Sequence, residues 1–395
     1  MKRRDFVLGM LGLSGTSLAL TKWLLASRRV TPAEWLGSPY PLVKVPGAGE
    51  MYQLWDRPPL YETPVSKLVG TKNPPFTDTD HYYIRWREAD LKPLDPDAFR
   101  LTITGEGVPK PVTLTLADIK NFPKIERGAV GMCGAAGFGL IRPRRPAPPF
   151  TKGDLSCALW GGASLRAILE DVGARPEFGV LTAKSAVKII SNKHPTYIRS
   201  VRMVDATGAN TLLAYEMNGE ALPFWHGAPL RLVIPGVIGP NWVKQLVELE
   251  VRRTLAPRSW YQKATGFGPD VPKMGVKTFS LVLSPLDGER VPVGAPVDVM
   301  GIAFDSGQGI DRVDVSADNG WSWQGAELGP QPDAYVWRKW KTSFTPTTAG
   351  RINVMSRATS TNGETQPLDA WPNIQHEGGH RNNSSRTFAT TFEVV

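Results

Sequence analysis

Between Gly128 and Leu169 the chain gathers its densest set of residues able to do chemistry. Cys133 stands in the run Gly-Met-Cys-Gly-Ala-Ala-Gly-Phe-Gly, where minimal side chains let the backbone approach a large ligand closely. Arg142, Arg144 and Arg145 follow, and Cys157 comes after them. One thiolate, a glycine-rich collar and a basic arm point to a soft metal centre with an anionic ligand. Two plainer readings stand beside it. A cysteine among Gly and Ala is commonly a small buried hydrophobe. Cys133 and Cys157 could also pair, closing a loop in a chain bound for an oxidising compartment.

The elements that must position these groups are legible from pattern. His81 to Arg87 reads as a short aromatic strand with basic side chains, and Phe99 to Gly105 alternates as a second strand. Thr115 is the candidate N-cap of a short helix ending at Lys120. Trp-Gly-Gly-Ala-Ser-Leu-Arg-Ala-Ile-Leu reads as a turn leading into a helix that ends at Gly173. Further strands are expected at Ala186 to Asn192, Thr196 to Met203, Leu212 to Asn218, Pro229 to Gly239 and Trp242 to Arg253. Beyond Phe267 to Val276 the pattern turns to short β segments spaced by Gly, Pro and Asn, as in an immunoglobulin-like sandwich. Trp321, Trp323, Trp337 and Trp340 read as its core or interface aromatics.

Composition sets the frame. With 395 residues, 41% hydrophobic and 21% charged, the chain is globular and long enough for two domains. Its net charge of +9 is dispersed, with no run of five like charges, so a nucleic-acid role is not supported. A basic surface steers an anionic substrate or an acidic partner instead. Lys2-Arg3-Arg4-Asp5-Phe6-Val7-Leu8 before a short glycine-containing apolar run reads as a twin-arginine export signal, placing the protein in the periplasm. That run is too short to span a membrane stably. No clean A-x-A follows, and Lys22 and Trp23 intervene, which leaves cleavage and retention both open.

The order of landmarks resembles the sulfite oxidase family of molybdopterin enzymes, which includes bacterial periplasmic sulfite dehydrogenases and the catalytic subunit of sulfur dehydrogenase. The most specific portions are Met217-Asn218-Gly219-Glu220-x-Leu222-Pro223-x-x-His226-Gly227-x-Pro229-Leu230-Arg231-Leu232 and Arg312-Val313-Asp314-Val315-Ser316-x-Asp318-x-Gly320-x-Ser322-Trp323. The resemblance implies an α+β molybdopterin-binding catalytic domain at 76–275, followed by the sandwich at 276–395 as a dimerisation domain. Ahead of them lie the signal at 1–26 and an extended arm at 27–75.

By the same resemblance, Cys133 ligates molybdenum and Arg85 is the active-site arginine. Tyr83, Trp86, Arg87, His226, Arg231, Asn241, Trp242, Val243 and Lys244 fall on cofactor-contacting positions. The family commonly carries a histidine where this chain has Arg87. Its substrate-side tyrosine falls near Ala264 or Thr265, with Tyr261 as a stand-in, and Gly134 to Gly139 replace a more polar run. The implied function is an exported molybdenum-cofactor oxidoreductase moving an oxygen atom to or from a small sulfur compound or oxyanion. No C-x-x-C-H haem motif is present, so electrons would pass to a separate c-type cytochrome. The altered substrate side leaves a non-catalytic partner subunit as the competing expectation.

Overall fold

The computed structural model describes residues 38–88, 90–140, 148–187, 196–256, 275–368 and 387–395. Three sheets build the larger unit. The first is antiparallel, in the order Leu42–Lys44, Glu50–Trp55, Leu60–Glu62 and Ile84–Arg85. The segment expected as an extended arm is therefore sheet from Leu42 onward. The aromatic strand expected at His81 to Arg87 shrinks to Ile84–Arg85, because Thr79–His81 is a 3-10 turn. Trp86 then bonds its backbone N–H to Pro59 O at 3.0 Å and leaves the ladder.

The second sheet runs Ile198–Arg202, Val180–Ser185, Leu246–Arg252, Arg100–Thr104 and Val112–Thr115. Only the pairing of Leu246–Arg252 with Arg100–Thr104 is parallel in it. A strand runs at Val180–Ser185; of the strand expected at Ala186 to Asn192, Ala186 and Val187 follow it outside the ladder, and 188–192 lie outside the described residues. The third sheet orders Glu220–Ala221, Leu212–Met217, Leu155–Ser164 and Lys124–Met132, with Arg231–Val233 also on Leu212–Met217.

Leu155–Ser164 is buried almost along its whole length, the pattern of a strand covered on both faces. The turn expected at Trp160 to Ser164 is absent: these residues continue that strand, and Gly162 explains why. A Cβ there would lie 2.1 Å from Leu213 O, so only glycine allows the neighbouring strand to close. The helix Leu165–Asp171 follows at once, with Ser164 Oγ accepting from Ala167 N at 3.4 Å. Helix Leu116–Lys120 begins as expected at Thr115. Thr115 Oγ1 accepts from Asp118 N at 3.1 Å, while Thr115 N donates to Asp118 Oδ2 at 2.8 Å. With Met203–Ala206, these are the described α-helices, so the larger unit is more β than the α+β expectation implies. None is long and apolar enough to cross a membrane.

The C-terminal unit is two sheets. One runs Phe279–Ser284, Val297–Phe304, Arg338–Phe344 and Glu327–Leu328. The other runs Arg290–Val291, Ala389–Val394, Gly350–Ser360, Ile310–Ser316 and Gln324–Gly325. Val299, Val313, Val354, Trp340 and Phe392 fill the space between them. Phe279, Leu281, Trp337 and Phe388 belong instead to the core of the larger unit. Trp321, by contrast, is 90% exposed and holds no core position.

Candidate active site

Strand Lys124–Met132 goes from alternating exposure to complete burial along its length, so it ends deep in the molecule with Cys133 as the next residue. There the Cys133 N–H donates to Asp154 O at 3.0 Å, and Ala136 N–H donates back to Cys133 O at 3.3 Å. Burial, reinforced by Asp154, pushes the thiol up to about 11, while the charges of Arg85 and Arg87 pull it down. Cys157 lies across the ladder from Val130, and both cysteines are free. The disulfide alternative is thereby excluded.

Cys133 opens onto a cleft of ≈ 740 Å³. Tyr82, Tyr83, Arg85, Trp86 and Arg87 form one wall, and Ser185, Val187 and Tyr197 another. Arg231, Gly239, Pro240, Trp242 and Lys244 close it. Arg231 is 4% exposed, with Nη1 donating to His226 O at 3.0 Å and the guanidinium 4.6 Å from the Trp160 ring centroid. Lys244 donates to Trp225 O at 2.8 Å and lies 4.6 Å from the Trp86 ring centroid. Burial, then the charges of Arg231 and Arg85, hold the Lys244 ammonium well below the usual lysine range. Neither Arg231 nor Lys244 is ion-paired with a carboxylate among the described residues.

His226 stands behind this wall. Its ring meets Tyr82 edge-on at 5.1 Å, and Nε2 lies 3.3 Å from Thr79 O. Burial, with Lys244 and Arg231 adding to it, keeps the imidazole neutral by pushing its pKa well below 6.5. Asn241 and Val243 are buried without lining the cleft. Asn241 ends the turn Gly239–Asn241, and Val243 O accepts from Leu232 N at 2.9 Å. Together they present Trp242 and Lys244 between and beside them. Tyr261, Ala264, Thr265, Arg142, Arg144 and Arg145 lie outside the described residues.

Tyr82, Ser185, Val187, Tyr197 and Pro240 are cleft residues that the sequence reading did not single out. Tyr82 had a usable signal, since it precedes Tyr83 and is stacked on it at 5.3 Å. Asp154 and Glu62 had none. Both are buried acids: Asp154, in a Thr-Lys-Gly-Asp loop, accepts from Cys133 N through its backbone O, and Glu62, at a strand end, acts electrostatically on Asp154.

Residues 88–260 match the oxidoreductase molybdopterin binding domain, and residues 271–384 match the Mo-co oxidoreductase dimerisation domain. Sulfite oxidase from Arabidopsis thaliana is 31% identical over 69% of this chain and 71% of its own length. The chain belongs to the sulfite oxidase family, whose members are molybdopterin-dependent oxidoreductases. Human mitochondrial sulfite oxidase is 30% identical over 75% of the chain, and the chain spans 57% of that relative's length. The crystal structure of the sulfane dehydrogenase SoxCD from Paracoccus pantotrophus shares the fold, with a TM-score of 0.66 and 24% identity, covering 84% of this chain and 86% of that one.

The residues present fit the family's molybdenum cofactor. His226 Nδ1, Arg231 Nε and Trp242 Nε1 are buried with no hydrogen-bond partner among the described residues. Arg231 Nε and Trp242 Nε1 are donors, costly to leave unpaired, and an anionic, acceptor-rich pterin phosphate would satisfy them; His226 Nδ1, the acceptor of a neutral ring whose Nε2 donates to Thr79 O, calls instead for a donor. The buried Arg231 guanidinium and the half-buried Lys244, neither paired with a carboxylate among the described residues, also call for a negative ligand. The Cys133 sulfur is the soft donor that a metal held by dithiolene sulfur favours.

Proposed function

We propose that this protein oxidises a small sulfur oxyanion, adding an oxygen atom from water and passing the electrons singly to a separate c-type cytochrome. The observation that carries this reading is the meeting of Cys133, Arg85 and Arg87 with Arg231 and Lys244 around one cleft. Arg231 and Lys244 would hold the pterin phosphate, Cys133 the molybdenum, and Arg85 and Arg87 the substrate anion. The cofactor, when bound, supplies two-electron oxygen-atom transfer. Arg87 keeps a permanent charge where the family commonly has a titratable histidine, so anion attraction extends across a wider pH range. A non-catalytic partner role finds no support in a cleft that keeps the thiol and these cations.

Metal analysis of the purified protein should give one molybdenum per chain, and a steady-state assay with sulfite and cytochrome c should give turnover slower than a typical family member's. Metal-loaded protein inert to sulfite and to a panel of other sulfur anions would end the reading. The protein is exported to the periplasm by the twin-arginine route, and Arg3→Lys with Arg4→Lys should strand it in the cytoplasm. The C-terminal unit is an immunoglobulin-like sandwich that joins two copies. Its match to the dimerisation domain supports this, and light scattering at micromolar concentration should give a dimer.

A further inference from the structure

Tyr197 precedes strand Ile198–Arg202 on the cleft wall. Its backbone is fixed on both sides: Ser185 N–H donates to Tyr197 O at 2.9 Å, and Tyr197 N–H donates to Val187 O at 3.3 Å. Its side chain is fixed as well. The hydroxyl donates to Pro240 O at 2.7 Å and accepts from Arg199 Nε at 3.1 Å. Arg199 is 1% exposed, also reaches Pro240 O at 3.0 Å, and holds its guanidinium 4.5 Å from the Tyr197 ring centroid. A second guanidinium uses the same ring: that of Arg87, 5.9 Å from the centroid. Arg87 is half-buried, lines the cleft, and its charge is felt at the Cys133 thiol.

We infer that Tyr197 is a positioning residue for anion recognition, its ring holding the Arg87 guanidinium in the cleft that Cys133 also lines. An arginine in this setting loses rotamer freedom when it grips an anion, and a ring that already orients it removes part of that cost. Arg199 and Pro240 keep the ring in place, so the hydroxyl serves the platform and not the anion. The inference rests on reading the cleft as an oxyanion site, yet it can fail separately from turnover.

The test is calorimetric titration of inorganic sulfate into molybdenum-loaded protein at fixed ionic strength, beside the KM for sulfite. Tyr197→Met, which fills the space without a ring, should weaken sulfate about tenfold and raise KM by a similar factor. The loss should fall on KM more than on kcat. Tyr197→Phe keeps the ring and should restore sulfate affinity to within about threefold. Arg87→Met should weaken sulfate by itself, and adding Tyr197→Met to it should cost little more, because both changes remove one device. If Tyr197→Met does not fold, the comparison of Tyr197→Phe with Tyr197→Leu, each in the presence and absence of Arg87→Met, reads the same coupling. Sulfate binding unchanged in the ring-deleted variant, additive losses with Arg87→Met, or no sulfate binding by the unaltered protein would overturn the inference. Ring-dependent sulfate binding without turnover of any sulfur anion would instead sink the catalytic reading and leave the positioning role standing.

Discussion

Cys133 differs from Cys157 by one residue of context. Cys157 lies inside a strand, fully buried among apolar neighbours, whereas Cys133 comes just after a strand and faces the cleft. Cys133→Ser replaces a soft donor with a hard one and should lower turnover by more than about a hundredfold, beyond what loss of an outer-shell partner costs. Pterin content, read from the fluorescence of the released and oxidised cofactor, should persist, because on the proposed reading Arg231 and Lys244 would still hold the phosphate. Beside the loop that carries Asp154, Glu62 is 1% exposed and accepts from Thr151 Oγ1 at 2.7 Å and Gly153 N at 3.4 Å. Burial lifts its carboxyl from 4.5 to about 7. A carboxyl raised in the fold adds stability below its unfolded pKa and loses it as pH climbs through the folded one. The protein should therefore lose about 2–3 kcal/mol of stability from this group between roughly pH 5 and 8. Glu62→Gln should flatten that limb in denaturant titrations. A slope unchanged by the substitution would assign the pH dependence to other groups.

At the scale of elements, glycine decides how closely the site's walls approach. A Cβ on Gly131 would lie 2.1 Å from the Tyr82 hydroxyl. Tyr82 cannot yield cheaply, being 3% exposed and packed against Tyr83, Trp160 and His226. Gly131→Ala should cost about 1–3 kcal/mol by overpacking and loosen cofactor retention, measurable as a lower thermal midpoint and less molybdenum per chain after dialysis. Sequence pattern made some of this readable and not the rest. The Thr115 cap announces itself because its partner, Asp118, is three residues away. The run from Trp160 to Ser164 reads as a turn because two glycines imitate one, while the actual cause, Leu213 O pressing on Gly162, is distant in sequence. His226, Arg231 and Lys244 are legible through a dense local motif. Ser185, Val187 and Tyr197 are not, since a ladder between two strands brings them to the cleft.

The two units are distinct in sheet topology but not in core. Trp337 is fully buried, packs within the larger unit's core, and donates from Nε1 to Pro75 O at 2.9 Å. Val130, three residues before Cys133, donates its N–H to Tyr335 O at 3.0 Å. Lys152 Nζ meets Asp287 Oδ2 at 2.5 Å with little solvent access, and Thr390 Oγ1 at 3.2 Å. Such a pair offsets its own desolvation poorly, but breaking one side of it leaves a buried charge. The strand that delivers Cys133 is thus braced by the C-terminal unit, and stability of the site is coupled to that unit. The unaltered protein should accordingly melt in a single calorimetric transition, although two independent domains ordinarily give two. Trp337→Ala removes an aromatic shared by both units and should lower stability by about 3–5 kcal/mol. Because the lost contact lies at the junction, the melt should also split, with the C-terminal unit unfolding apart from the rest. Two transitions already present in the unaltered protein, or an unsplit and barely shifted melt in the variant, would show that the shared core does not couple the units.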